Sequence, residues 1–356
     1  MHAQVQLVCL APTLAIASAS KCPQRAAALV PSLLELLFFS APSATSGSSF
    51  LSVAETPHEL SLVLPEARLS LFPPDALRME PQRWRALQVA SAGAGAFLSQ
   101  LAVLTELTTQ LARHGVSVFQ ISTYQTDYVL VKREDLATAV ACLAAFCDVE
   151  MEDAGDQERL GGEAAVEVVT QRQSGDLSAD SDDFAVHRHL LSVPDVDLFL
   201  VQIDKARVRR HVYSLIRLLF GSSQSRCGER LFLSYSETGD DVSVVTHDRA
   251  FVREMQELAA SGGEGVMVSP DAWKVVQVGD TNLGFSETGI VAGQTRVLLS
   301  AGTIVFYLST FALDYMLVKE DEWAAALATL RRHFRVLEGG FAPLQETAAT
   351  AATDTE

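Results

Sequence analysis

Read for the alternation of apolar and polar positions, the chain falls into short runs of period two separated by runs of period three to four. The first kind predicts half-buried strands and the second amphipathic helices. The same succession recurs. STYQTDYVLVKREDLATAVACL, starting at Ser122, aligns without a gap on STFALDYMLVKEDEWAAALATL, starting at Ser309, with about half the positions identical. VPSLLELLF from Val30 resembles VYSLIRLLF from Val212, and FLSVAETPHELSLVL from Phe50 resembles FLSYSETGDDVSVV from Phe232, at one common displacement. RWRALQVA from Arg83 matches AWKVVQVG from Ala272 and aligns Trp84 with Trp273. A period of this kind is read before any other feature, because it sets the architecture. The chain is two halves, each of two small related units, in the order A-B-A′-B′.

Within unit A the pattern predicts a strand near Val5–Leu10, a helix from Pro23 to Phe39 with Pro31 awkward in its interior, strands Phe50–Val53 and Glu59–Leu64, and a short helix near Pro74–Arg78. Unit B predicts strand Arg85–Ala90 and a helix whose buried stripe is Leu101, Leu104, Leu107 and Leu111. It ends at His114-Gly115. A hairpin (Val116–Ser122, Tyr128–Lys132), a helix Glu134–Phe146 and a strand Asp148–Glu152 follow. Each unit thus reads β-α-β-β-α with a closing strand. From Asp153 to Ser192 the pattern dissolves into Gly, Asp, Glu, Gln and Ser, a linker. Unit A′ opens with strand Leu198–Ile203 and a helix carrying Val212, Leu215, Ile216 and Leu219. Its hairpin and second helix lie between Leu231 and Leu258, and unit B′ runs from Trp273 to Leu337. The expected divisions are 1–80, 81–152, a linker 153–192, 193–265, 266–340, and a disordered tail 341–356.

Composition changes this picture little. With 356 residues, 48% hydrophobic and 20% charged, the chain is globular, and its size suits several small units. A net charge of −17 argues against nucleic acid as a partner, since such binding needs Lys and Arg to displace counterions; it favours a cationic ligand or partner. The five cysteines (Cys9, Cys22, Cys142, Cys147, Cys227) are odd in number and lack metal-type spacing, which points to a reducing, intracellular setting. No apolar run is long enough to span a bilayer. VQLVCLAPTLAIASAS has the small-residue ending of a signal peptide but no basic start, and the repeat places a strand there.

Catalytic signatures are missing. There is no Walker loop, nucleophile elbow or HExxH helix, and four units use up the length, so no enzyme activity is expected. Gly93 and Gly95 form a lone GxG without the third glycine or downstream acid of a dinucleotide site, and no cofactor is expected. His187 and His189 have no clustered companions that would make a metal site. Asp127 and Asp314 occupy equivalent hairpin corners, where a carboxylate can simply accept backbone N–H groups.

The order β-α-β-β-α in small tandem units resembles the ACT domain, a regulatory amino-acid-binding module. LGFSETGIV (Leu283–Val291), STFALD (Ser309–Asp314), VSV (Val116–Val118) and STYQTD (Ser122–Asp127) sharpen this to the four-ACT-domain family of cytosolic arginine sensors in the target-of-rapamycin pathway. The resemblance is close over units B and B′ and holds only in outline over A and A′. It implies an α+β fold of four tandem ferredoxin-like βαββαβ domains arranged as two duplicated halves. It also implies a cytoplasmic, homodimeric, non-catalytic sensor that controls a signalling complex upstream of the kinase. The implied ligand residues are Ser117, Val118, Gly284, Glu287, Val291, Thr310, Phe311 and Asp314, and the implied partner surface is Tyr124, Gln125, Thr126 and Asp127.

The chemistry is compatible. Gly284 and Gly289 let backbone N–H groups converge on a carboxylate, Glu287 can accept from an ammonium, and Asp314 can pair with a guanidinium. The competing reading is a detached ACT-type regulatory subunit of an amino-acid biosynthetic enzyme.

Overall fold

The computed structural model describes residues 5–39, 49–89, 97–144, 147–152, 189–221, 232–262 and 265–345. The first half supplies β1 (Val5–Cys9), β2 (Leu14–Ala19), α1 (Pro23–Leu34), β3 (Leu51–Glu55), β4 (Leu60–Pro65) and β5 (Arg78–Met79). It continues with β6 (Trp84–Val89), α2 (Phe97–Arg113), β7 (Val118–Ser122), β8 (Asp127–Lys132), α3 (Leu136–Leu143) and β9 (Cys147–Met151). The second half repeats the order: β10 (Leu191–Val193), β11 (Asp197–Asp204), α4 (Val212–Phe220), β12 (Leu233–Glu237), β13 (Asp241–Thr246), α5 (Arg249–Ala260) and β14 (Val266–Val268). It ends with β15 (Trp273–Val278), α6 (Ile290–Ser300), β16 (Val305–Ser309), β17 (Asp314–Lys319), α7 (Trp323–His333) and β18 (Val336–Glu338).

The strands form two long sheets. One runs β5-β2-β4-β3-β12-β13-β11-β14 and joins A to A′. The other runs β9-β1-β6-β8-β7-β16-β17-β15-β10-β18 and joins B to B′. Two short contacts, Leu14↔Trp84 and the neighbouring pairs Asp197↔Lys274 and Leu198↔Trp273, link the two sheets, so the pairings close into a barrel. Inward residues of both sheets, among them Ile16, Phe50, Trp84, Phe119, Phe232, Trp273 and Tyr315, fill one core. The outer faces carry the helices. Those of A and A′ bury Leu29, Leu33, Leu215, Phe251 and Met255. Leu104, Leu107, Leu111, Leu136 and Leu143 pack on B, and Val291, Leu298, Ala326 and Leu330 on B′.

Three sequence expectations are corrected here. The strand near Val5–Leu10 does not open the sheet of unit A. It lies in B's sheet, parallel to β9 and antiparallel to β6, while Leu14–Ala19 is the strand that pairs within A. The second half repeats the exchange, since β10 sits between β15 and β18 whereas β11 pairs in A′. Pro12 and Pro194 stand at the two crossings, where a residue without an N–H ends one ladder and the chain steps to the other sheet. Strand β10, which opens the second half, also begins inside the segment read as linker, so the strand pattern resumes at Leu191. Finally, the short helix near Pro74–Arg78 is instead a 3₁₀ segment at Glu66–Leu71, with Arg78–Met79 forming an edge strand. The remainder of the linker, the tail from 346, Gly93, Gly95, His187 and Cys227 lie outside the described residues.

The two joins between halves are unlike. A and A′ share a full ladder from Leu51↔Glu237 to Glu55↔Leu233, with the hydroxyls of the paired Ser52 and Ser236 2.9 Å apart within it. B and B′ share only the pair Ile121↔Leu308. There the backbone is satisfied by reciprocal side chains instead. Gln120 N–H donates to Ser309 Oγ and Tyr307 N–H to Ser122 Oγ, each at 3.0 Å. These equivalent serines mark a pseudo-twofold axis, and the strand edges splay on either side of it.

Candidate functional site

On one side of that seam the strand edge of unit B meets the loop and hairpin corner of unit B′. The space between them, about 430 Å³ with its mouth included, is lined by Val118 and Phe119, by Gly284, Glu287 and Val291, and by Thr310, Phe311 and Asp314, with other residues of the same three segments. Ser117 sits just behind this lining, its hydroxyl donating to Phe285 O at 3.0 Å. All eight residues expected to hold a ligand therefore gather at one cleft, although they come from segments far apart in the chain.

The loop owes its path to glycine and to one aromatic. Gly279 has φ 90°, and a Cβ there would come within 2.9 Å of Leu283. Gly289 is the N-cap of α6 with φ 82°, a conformation that disfavours any L side chain, and no side chain caps this helix start. The first N–H groups of α6 are thus left for another acceptor. Phe285 anchors the loop, stacking on Phe119 at 6.3 Å and meeting Trp84 and Phe311 edge-on at 5.9 and 5.1 Å.

Asp314 is 7% exposed. Tyr307 donates to its Oδ2 at 2.8 Å, and the same hydroxyl lies 3.1 Å from Gln294 Oε1. Desolvation pushes the carboxyl up to about 6, against the stabilising hydrogen bonds of Ser309 and Tyr307. Glu287, nearer the mouth, is held by His189 Nε2 at 2.9 Å. His189, from the end of the linker, thus reaches the cleft.

The corner that carries Thr310 and Phe311 is gripped by a residue the sequence reading did not single out. Glu59 of unit A is 6% exposed. Its Oε1 accepts from Thr310 Oγ1 and from Ala312 N, both at 2.8 Å, and its Oε2 accepts from Ser18 Oγ at 2.8 Å. Phe311 N donates to Ser61 Oγ at 3.0 Å. The signal was present in the repeat, where Glu59 aligns with Asp241. That shorter side chain stays at home, accepting from Thr238 Oγ1 and Gln202 Nε2, and a polar hollow of about 390 Å³ opens between it and Gln125. Glu59→Ala is expected to cost about 2–4 kcal/mol in urea denaturation, because the buried Ser18 hydroxyl and Ala312 N–H lose their acceptor, while Thr310 Oγ1 keeps only Leu313 O at 2.8 Å. Glu59→Gln, which keeps an acceptor oxygen, should lose clearly less; equal losses would remove the clamp.

Tyr124, Gln125, Thr126 and Asp127 lie across the seam at the equivalent corner. Tyr124 N donates to Ser243 Oγ at 3.0 Å, the counterpart of the Phe311–Ser61 contact, and Gln125 is exposed. Asp127 keeps part of its surface open, yet its carboxyl group is enclosed deeply enough for desolvation to push it up to about 6, opposed by the Ser122 hydrogen bond. Burial raises the thiols of Cys142 and Cys147 to about 12 and about 11, so neither is poised as a nucleophile. Among the described residues no cluster of His, Cys, Asp and Glu could hold a metal ion, and no helix is long and apolar enough to cross a membrane.

A protein-family model described as the ACT domain matches residues 80–145 and 268–332, the stretches that supply both walls of the cleft. These two stretches are ACT domains. The chain is a relative of the cytosolic arginine sensors: it is 28% identical over 314 residues to the cytosolic arginine sensor for mTORC1 subunit 1 of Homo sapiens, covering 84% of this chain and 90% of the human protein. Against the Rattus norvegicus protein of the same name the identity is 27% over 314 residues, covering 84% and 89%. Among solved structures, an Agrobacterium tumefaciens protein is 25% identical with a TM-score of 0.29, covering 42% of this chain and 95% of that one. Aspartate kinase from Synechocystis is 9% identical with a TM-score of 0.32, covering 92% and 55%. Likenesses this loose do not bear on the fold.

Proposed function

We propose that the chain is a non-catalytic cytoplasmic sensor that binds arginine in the cleft between units B and B′. Through the Tyr124–Asp127 corner it controls a protein partner in nutrient signalling to the target-of-rapamycin kinase. The observation that carries the ligand reading is the chemistry around one space: an uncapped helix start, the Glu287 carboxylate near the mouth and the enclosed Asp314 carboxylate. These suit, in turn, an α-carboxylate, an ammonium and a guanidinium. Val118 and Phe119 close the cleft from the other half, so a bound ligand clamps a seam that has a single backbone pair. Four ACT-like units over 1–80, 81–152, 193–265 and 266–340, with a linker at 153–192 and a tail at 341–356, belong to the same reading. So does a homodimer through units A and A′, which the 65% and 77% exposures of Phe39 and Tyr213 support.

Arginine at one hundred times its dissociation constant should stabilise the chain by about 2.7 kcal/mol in a thermal-shift screen of the amino acids. A flat response, or a stronger one to an amino acid without a cationic side chain, would overturn the reading. The same complex should be pH-dependent. The guanidinium stays charged, so a proton competes with it for Asp314, whose carboxyl is raised to about 6. Affinity should be level above pH ~7 and fall by up to about tenfold per pH unit below ~6. His189, Glu287 and Tyr307 face the same carboxyl. Asp314→Asn is therefore the control and should flatten the profile.

A further inference from the structure

Beyond β18 the chain runs on as an irregular strap, Phe341–Gln345. Gly339 N donates to Val193 O at 3.1 Å and Ala342 N to Ser192 Oγ at 3.0 Å, so the strap leaves β18 alongside β10. Ala342 is buried, and its carbonyl accepts from Gln277 Nε2 at 3.0 Å. Gln277 is fully buried with both ends engaged. Its Nε2 also reaches Gly279 O at 2.9 Å, and its Oε1 lies 3.1 Å from His58 Nε2. Phe341 meets His58 and Tyr315 edge-on, each at 6.5 Å. At the far end Gln345 N donates to Asp280 O at 2.7 Å, and Gln345 Nε2 to Asp280 Oδ2 at 3.1 Å.

Asp280 opens the loop that lines the candidate cleft, between the end of β15 at Val278 and the start of α6 at Ile290. Among the described residues three backbone hydrogen bonds tie this loop to the rest of the fold. Gly279 N donates to Leu190 O at 2.8 Å, Leu283 N donates to Ala312 O at 2.9 Å, and the strap supplies the third at Asp280. Thr281 pairs with Gln345 in a parallel bridge at the same point. No residue of the strap lines the cleft itself. The repeat shows how this junction looks in the other half. Gln277 corresponds to Gln88, His58 to Asp240 and Glu59 to Asp241. Gln88, Asp240 and Asp241 surround the polar hollow of about 390 Å³, and among the described residues no segment takes the strap's place there. The strap thus belongs to the half that owns the glycine loop.

We propose that Phe341–Gln345 is a positioning strap for the cleft. It holds the root of the glycine loop, so that Glu287 and the start of α6 stand where a ligand meets them, although it touches no ligand. The inference rests on the reading of this cleft as the ligand site. A surface segment opens with a free energy set by its own few ties rather than by the stability of the whole fold. Losing one of three backbone ties therefore acts on the loop before it acts on the core. Apparent affinity then falls in proportion to the time the loop spends in its binding geometry. The cleft is in this way adjustable from the strap, since whatever draws Gln345 off Asp280 weakens the site.

The test is hydrogen–deuterium exchange of the whole chain, read on peptides covering 279–289, beside arginine calorimetry and a melting curve. Gln345→Pro, at an exposed position, removes both the N–H and the side-chain amide that hold Asp280 and leaves Phe341 and Ala342 seated. It should speed exchange in the loop and weaken arginine, each by about tenfold, as when the binding geometry is held for about a tenth of the time. Its melting curve should stay close to the parent's. A chain ending at Gly340 should show the same loop effect together with a lower melting temperature, because Gln277 loses its cover. A chain ending at Glu346 keeps every contact named and should match the parent. Loop exchange at the parent's rate in both strap variants overturns the proposal. So does a rise spread evenly over all strands, which would make the strap a general stabiliser. A loosened loop with unchanged arginine affinity overturns it as well. Should the parent itself not bind arginine, the ligand reading fails, and the exchange measurement still decides whether the strap positions the loop.

Discussion

Asp314→Ala is expected to lose arginine binding by 2–5 kcal/mol, the cost of truncating one partner of a buried, hydrogen-bonded charge pair. The free chain already carries the penalty of enclosing this carboxylate, as its rise to about 6 records. Tyr307, oriented beside Gln294, and Ser309 hold it in place. Without it, a guanidinium entering the cleft gives up its hydration and meets Val118, Phe119 and Phe311 with no counter-charge at that depth. The chain itself should tolerate the change, because removing an incompletely solvated carboxylate relieves part of what is lost in hydrogen bonds. Isothermal calorimetry together with a melting curve separates the two effects. An affinity within about twofold of the parent, in a variant that melts normally, would show that the guanidinium does not lie on Asp314.

Asp127→Ala should do the opposite. Its arginine affinity is expected to stay within about 0.5 kcal/mol of the parent, as for sites without shared partners. Capture of the signalling partner by the immobilised chain is expected to fall by about tenfold or more, the loss of one charge-assisted contact. Asp127 faces the far side of the seam from the candidate cleft, among Tyr124, Thr126 and Lys319. Its shortest tie toward the cleft runs through Ser122, which also accepts from Tyr307 N. If that tie mattered, arginine affinity would fall together with partner capture, and the division of labour between the two equivalent aspartates would be wrong.

That division could be posed from the repeat but not decided by it. The alignment of Ser122 with Ser309 and of Asp127 with Asp314 was legible, and so was the leucine stripe of α2, because each depends on neighbours within a few residues. Gly289 was legible as a turn residue, since only glycine is at ease at its positive φ. Glu59 went unread as a contributor because its partners, Thr310 and Ala312, lie 251 and 253 residues away. Its difference from Asp241 is one methylene group, which has meaning only once a neighbouring corner stands at the matching distance.

The duplicated hairpins, their alternating inward faces and the polar residues at each corner were legible in the chain's pattern. The tertiary structure alone decided which edges meet. Backbone N–H and C=O groups on a strand edge are the same for every residue type, so the pattern does not say that β1 crosses into B's sheet or that A joins A′ by a full ladder. It equally left open that B and B′ join by a single pair, which is what leaves space for the cleft. The candidate site exists only through that choice of edges. Ser117 and Phe285, 168 residues apart, become neighbours because two splayed strands leave their polar groups facing a loop rather than each other.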